Sequence, residues 1–115
     1  PVNPTTPNAV KLEMFVFDAI PLACNPLVLY TSREEEFSPV KNADGVDSPA
    51  TAQRDLVRRA ARWLEDCGVA VPRDPNDEPA LPIEISPAFA LDADDLRVQL
   101  RSPPVLAVGK PLLLS

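Results

Sequence analysis

The chain has 115 residues, 45% of them apolar, and a net charge of −6: enough for one modest domain around one core, and too acidic for a generic nucleic-acid surface. It contains no histidine, which removes the commonest general base and metal ligand and excludes a Ser-His or Cys-His nucleophile within the chain. Fifteen prolines against three glycines predict short elements joined by stiff, extended connections.

In chain order, "PVNPTTPN" reads as an extended, proline-rich arm. From Asn8 onward, Leu12, Phe15, Val16, Ala19 and Ile20 recur at spacings of three and four, predicting a helix that Asn8 caps and Pro21 ends. "NPLVLYT" predicts a strand over Leu27–Thr31, buried on both faces. "SPATAQRDLVRRAARWLEDCG" is the clearest helix. Ser48 is a strong N-cap, Pro49 suits the first helical position, and Gly68 suits the turn that follows. Leu56, Ala60, Trp63, Leu64 and Cys67 mark its apolar face. Arg54, Arg58, Arg59 and Arg62 occupy the others, beside Asp55, Glu65 and Asp66, and read as a solvated face.

"VAV" is then extended, and "PRDPNDEPALP" reads as an exposed loop without core-forming residues. Alternation in "IEIS" predicts a strand over Ile83–Ser86 with both isoleucines inward. Asp92 caps a short helix over Ala93–Leu100, and "PPVLAVGKPLLLS" predicts two short strands around the turn "VGKP". This order is α/β or α+β. No apolar run approaches the ~20 residues that span a bilayer. Cys24 and Cys67, without histidine, cannot form a zinc site; they read as buried free thiols of a reducing cytosol, with one disulfide in a secreted domain as the alternative. No leader-like segment precedes the body of the chain. It begins at Pro1 rather than methionine, and reads as a piece of something longer or a processed product.

Three constellations bear on chemistry. In "SREEEFSPVKNADG", Pro39 fixes its own φ and pushes Ser38 out of the helical region, so Lys41 projects from a stiffened loop. A lysine ammonium is a compact point charge suited to phosphate. Glu34, Glu35 and Glu36 can pair with Arg33 or Lys41, and pattern alone favours a solvated surface loop. Phe15 and Phe17, two apart, cannot share the middle of one helical stripe. Phe15 fits the core stripe, and Phe17 faces either a second packed face or a ligand cleft. Asp18, Asp44 and Asp47 are a weak Mg²⁺ set, and "NADGVD" lacks the further carboxylates of a calcium loop.

"PNAVKLEMFVFDAIPLA" followed by "REEEFSPVKNADGVDSPATAQRDL" resembles the C-terminal part of the UDP-sugar pyrophosphorylases, most closely the UDP-N-acetylglucosamine pyrophosphorylase branch. The resemblance is continuous from about Pro7 to Leu56, with a weaker echo at "IEISPAFA". It implies an α/β fold. Residues 1–68 would end a Rossmann-like nucleotidyltransferase domain, and 69–115 would form a small α+β C-terminal domain. It implies an enzyme that joins UTP to a sugar 1-phosphate with Mg²⁺, releasing pyrophosphate; the charge, hydropathy and thiols read above add the expectation of a cytoplasmic protein with no nucleic acid or membrane as partner. By motif position, the resemblance makes Lys41 the catalytic, phosphate-binding lysine. Phe15 and Phe17 wall the sugar pocket, while Arg33 and Asn42 flank the lysine and hold its loop. The three glycines, Gly45, Gly68 and Gly109, form no phosphate cradle, so the uridine site and the Mg²⁺ ligands are expected upstream. The isolated chain is then expected to be inactive. Two alternatives stand beside this reading: a non-catalytic interaction module of the same shape, and a fragment of a UTP–glucose-1-phosphate uridylyltransferase.

Overall fold

Ser48 starts the longest element. Its Oγ accepts the Thr51 N–H at 3.4 Å, while the Thr51 hydroxyl accepts the Ser48 N–H at 2.9 Å, a reciprocal capping box. With Pro49 at the first position, helix α2 then runs Pro49–Asp66 and stops at Cys67, followed by Gly68 at φ +80°. The structure, a computed structural model, describes residues 5–115 and separates into two compact units between Tyr30 and Thr31.

The second unit carries the core. A single helical turn, α1 (Arg33–Glu36), precedes α2; β1 (Ile83–Ile85), α3 (Ala93–Gln99) and β2 (Leu112–Leu114) follow. β1 and β2 pair in parallel, Ile83 opposite Leu112 and Ile85 opposite Leu114. Parallel strands need a long crossover, and the stretch containing α3 supplies it. Ala60, Ala61 and Leu64 of α2 are buried with Val69, Val71, Leu81, Ile83, Ala90 and Leu96, and Val57, Trp63 and Cys67 pack at the margin. The α2 core face is thus 57, 60, 61 and 64. Leu56, expected on that face, is 54% exposed. α2 therefore shares one core with residues that follow Gly68, on both sides of the 68/69 boundary read from the sequence.

The observed architecture is a small mixed helix and strand unit with a two-stranded parallel sheet. Both expected N-terminal elements differ from the observed ones. In place of an α-helix from Asn8, the first unit has a 3-10 helix at Val16–Leu22 with Pro21 inside it. Proline's φ near −65° suits that geometry. Leu27–Thr31 forms no strand, and Leu27 to Tyr30 are exposed; a strand needs a hydrogen-bonding neighbour and a surface to cover it. In the second unit, "PRDPNDEPALP" is an ordered turn that contributes Leu81 to the core. There the Asp74 carboxylate accepts the N–H groups of Asn76 (2.8 Å) and Glu78 (2.9 Å). The tail forms one strand, β2, after a turn at Gly109 (φ +71°). Cys67 is half-buried but Cys24 is exposed, and both are free thiols.

Candidate functional site

The stretch from Ser32 to Ser48 is fastened to α2 at three places. Phe37 N–H closes α1 on the Arg33 carbonyl at 3.0 Å. That turn sets Glu35 against α2. Its carboxylate accepts from Arg62 Nε and Nη2 at 3.0 and 2.5 Å and from Trp63 Nε1 at 3.3 Å, and its carbonyl accepts from Arg59 at 3.1 Å. The Ser38 hydroxyl donates to Asp55 at 2.8 Å. Ser48, fully buried, donates to the Gly45 carbonyl at 2.7 Å while capping α2. The arginine face is therefore only partly solvated: Arg62 binds Glu35, Arg58 binds Glu78 and Arg59 lies over the Trp63 ring, 4.9 Å from its centroid.

Between these fixings the chain folds into a closed loop around one carbonyl. The Asp47 carbonyl accepts the N–H groups of both Lys41 (2.7 Å) and Asn42 (3.0 Å), and the Asn42 side-chain amide donates to the Val46 carbonyl at 2.8 Å. Gly45 (φ +72°) and Asp47 (φ +52°) make the reversals that this closure requires. The Lys41 ammonium lies 3.5 Å from the Asp47 carboxylate, and its side chain is 63% exposed. Phe37 lies beneath two cations: Arg33 Cζ is 4.1 Å and Lys41 Nζ 5.9 Å from its ring centroid.

The Glu78 carboxylate binds α2 at mid-length, through Arg58. The Arg58 guanidinium donates to Glu78 and holds its carboxyl below the ordinary value, while Glu78 pushes Arg58 up. The backbone N–H groups of Glu78 and Asn76 hold Asp74 below its ordinary range. An apolar hollow of about 650 Å³ lies between α2 and the sheet, walled by Leu56, Val57, Trp63, Ile83 and Leu112 among others. Lys41 is not among its lining residues.

Of the five residues singled out in the sequence, the structure brings three together. Arg33 and Lys41 share Phe37, and Asn42 shares the Asp47 carbonyl with Lys41. Phe15 and Phe17 belong to the first unit, 56% and 68% exposed. Asp18 also lies in the first unit, and Asp47 is paired with Lys41. Among the described residues no group of three or more His, Cys, Asp or Glu stands where it could hold a metal ion. Phe37 escaped the sequence reading, and Asp47, read there only as part of a weak Mg²⁺ set, instead closes the Lys41 loop. An aromatic four residues before the lysine was visible. The turn that aims the Asp47 carbonyl was not.

The loop presents an accessible ammonium, fixed at its backbone and paired with the Asp47 carboxylate, over the same ring that the Arg33 guanidinium contacts. Human UDP-N-acetylhexosamine pyrophosphorylase-like protein 1 is 40% identical over 114 residues, covering 87% of this chain and 22% of that protein. The Xenopus tropicalis protein of the same name is 40% identical over 113 residues, 96% of this chain and 21% of it. The Saccharomyces cerevisiae UDP-N-acetylglucosamine pyrophosphorylase is 42% identical over 77 residues, 60% of this chain and 15% of it. The chain belongs to the UDP-N-acetylhexosamine pyrophosphorylase family. It matches a C-terminal part of these pyrophosphorylases, and spans roughly a fifth to a quarter of the first relatives' length. No family model matches the chain, and no solved structure matches it significantly. Among the described residues, no helix is long and apolar enough to cross a membrane.

Proposed function

We propose that these residues are the sugar-side end of a uridylyltransferase that makes UDP-N-acetylhexosamine and pyrophosphate from UTP and N-acetylhexosamine 1-phosphate. The observation that carries the reading is Lys41. Its ammonium is exposed on a closed, helix-anchored loop, inside the stretch matched by relatives named for that nucleotide sugar. Attack of the sugar phosphate on the α-phosphorus of UTP needs no protein nucleophile, so a chain without histidine is suited to it. Lys41 neutralises phosphate charge at the reacting centre, Arg33 and Asn42 hold its loop, and Phe15 and Phe17 wall the sugar.

The glycines stand singly at Gly45, Gly68 and Gly109, so the nucleotide's phosphates are cradled by a Rossmann-like part that these residues do not supply. Mg²⁺ brings further charge neutralisation when bound, and the described residues provide no donor set for it. Lys41→Ala in a full-length chain is expected to lower kcat by about 100-fold, the scale of removing one placed donor. An unchanged kcat removes Lys41 from the mechanism. The 115-residue chain alone is expected to release no pyrophosphate from UTP and N-acetylglucosamine 1-phosphate, and measured release refutes that.

One observation favours a second reading, a non-catalytic interaction module. Leu12, Met14, Leu27 and Tyr30 of the first unit are each at least 90% exposed, an apolar surface that further protein would cover. Gel filtration separates the two: a module of that kind associates, whereas a clean monomer that binds no sugar phosphate supports neither.

A further inference from the structure

Asp47 has a backbone that most residues avoid. Its φ of +52° lies in the left-handed region, where glycine sits freely and aspartate is among the few L-residues tolerated. Strain of this kind persists where the surroundings impose it, and it gathers at functional sites. Here the left-handed turn does two things. It aims the Asp47 carbonyl at the N–H groups of Lys41 and Asn42, and it brings the Asp47 carboxylate 3.5 Å from the Lys41 ammonium. The neighbouring candidate partner, Glu35, is committed to Arg62 and Trp63.

The two contacts differ in purpose. The carbonyl fixes the backbone from which Lys41 springs, but a four-carbon stem leaves the ammonium wide freedom. The carboxylate limits that freedom. An exposed ion pair of this kind adds little to stability, so its effect falls on placement. The ammonium has three N–H donors; one toward Asp47 leaves the others for a phosphate oxygen.

We propose that Asp47 is the positioning residue for Lys41, holding its ammonium in place for the phosphate of the sugar 1-phosphate. This rests on the reading of Lys41 as a phosphate-binding lysine. The test uses a full-length chain containing these residues, with UTP and N-acetylglucosamine 1-phosphate. D47G keeps the left-handed turn and removes the carboxylate, and D47N keeps an acceptor oxygen without the charge. Both are expected to unfold at the wild-type temperature. D47G should lose about ten-fold in kcat with little change in KM, short of the roughly 100-fold that a 1 Å misplacement can cost. D47N should fall between D47G and wild type. In a K41M background, D47G should cost nothing further. If K41M is impaired while D47G keeps the wild-type kcat, or if D47G loses activity only in step with thermal stability, this inference is overturned and the role of Lys41 survives. If K41M leaves kcat unchanged, the reading of Lys41 fails and takes this inference with it.

Discussion

The Glu35 carboxylate grips the Arg62 guanidinium through two nitrogens, Nε at 3.0 Å and Nη2 at 2.5 Å, across 27 residues of sequence. The same carboxylate also receives the Trp63 indole N–H. One of three successive glutamates thereby docks the turn preceding the Lys41 loop onto α2. Both partners are about a third exposed, so solvent screens the pair, and geometry rather than charge alone sets its value. Glu35→Ala should destabilise the second unit by about 1 kcal/mol, counting a screened pair together with the indole bond. Urea denaturation reads this as a lower midpoint. Glu34→Ala, whose contact to Arg62 runs through its carbonyl, should leave the midpoint in place.

Glu78 makes stability depend on acid. Its hydrogen bond from Arg58, with the charges of Arg58 and Arg54, holds its pKa below the ordinary 4.5 against the opposing effects of burial and Asp74. A carboxylate whose folded-state pKa is depressed contributes stability above its unfolded pKa and loses it as pH falls through the folded value. Asp74 is depressed from 3.8 in the same sense, through the N–H groups of Glu78 and Asn76. The urea midpoint should therefore drop between about pH 5 and pH 3. Glu78→Gln should lower it at neutral pH and flatten the drop. A variant that keeps the full acid slope would place the effect elsewhere.

What the sequence showed clearly is local. Ser48, Pro49 and Gly68 bracket α2 by their own chemistry, Asp92 caps α3 by accepting the Asp95 N–H at 2.7 Å, and alternation marks β1. Failure came where burial had to be assumed. Leu12, Phe15, Val16, Ala19 and Ile20 have helical spacing, yet Val10, Leu12, Met14 and Val16 also alternate, and a short amphipathic helix is marginal without a surface to pack on. The described first unit supplies none, and residues 7–15 form neither helix nor strand. The Lys41 loop was half legible: Pro39 signals stiffness, but closure around the Asp47 carbonyl depends on two residues with positive φ that composition does not order.

The rotation of α2 can be tested directly. Spacing placed Leu56 and Leu64 on one face, but Leu64 is fully buried and Leu56 is 54% exposed. Leu64→Ala should cost about 3 kcal/mol, within the range for truncating a buried leucine. Leu56→Ala should stay within about 0.5 kcal/mol of wild type, as exposed substitutions do. Equal losses at the two positions would mean that the helix packs through the face expected from spacing.

Phe15 and Phe17 test the sugar side of the proposal independently of Lys41. Phe15 is the N-cap residue of the 3-10 helix and Phe17 its second residue, and both rings stand exposed. If they wall the sugar, truncating either removes apolar contact with N-acetylglucosamine 1-phosphate and none with UTP. In a full-length chain, Phe15→Ala and Phe17→Ala should each raise KM for the sugar phosphate by roughly ten-fold, the equivalent of about 1.4 kcal/mol of lost contact. KM for UTP should hold. Parallel rises in both KM values would mean that the rings support the fold of the catalytic part instead. No rise in either would leave their exposure to be explained by a protein surface rather than a ligand.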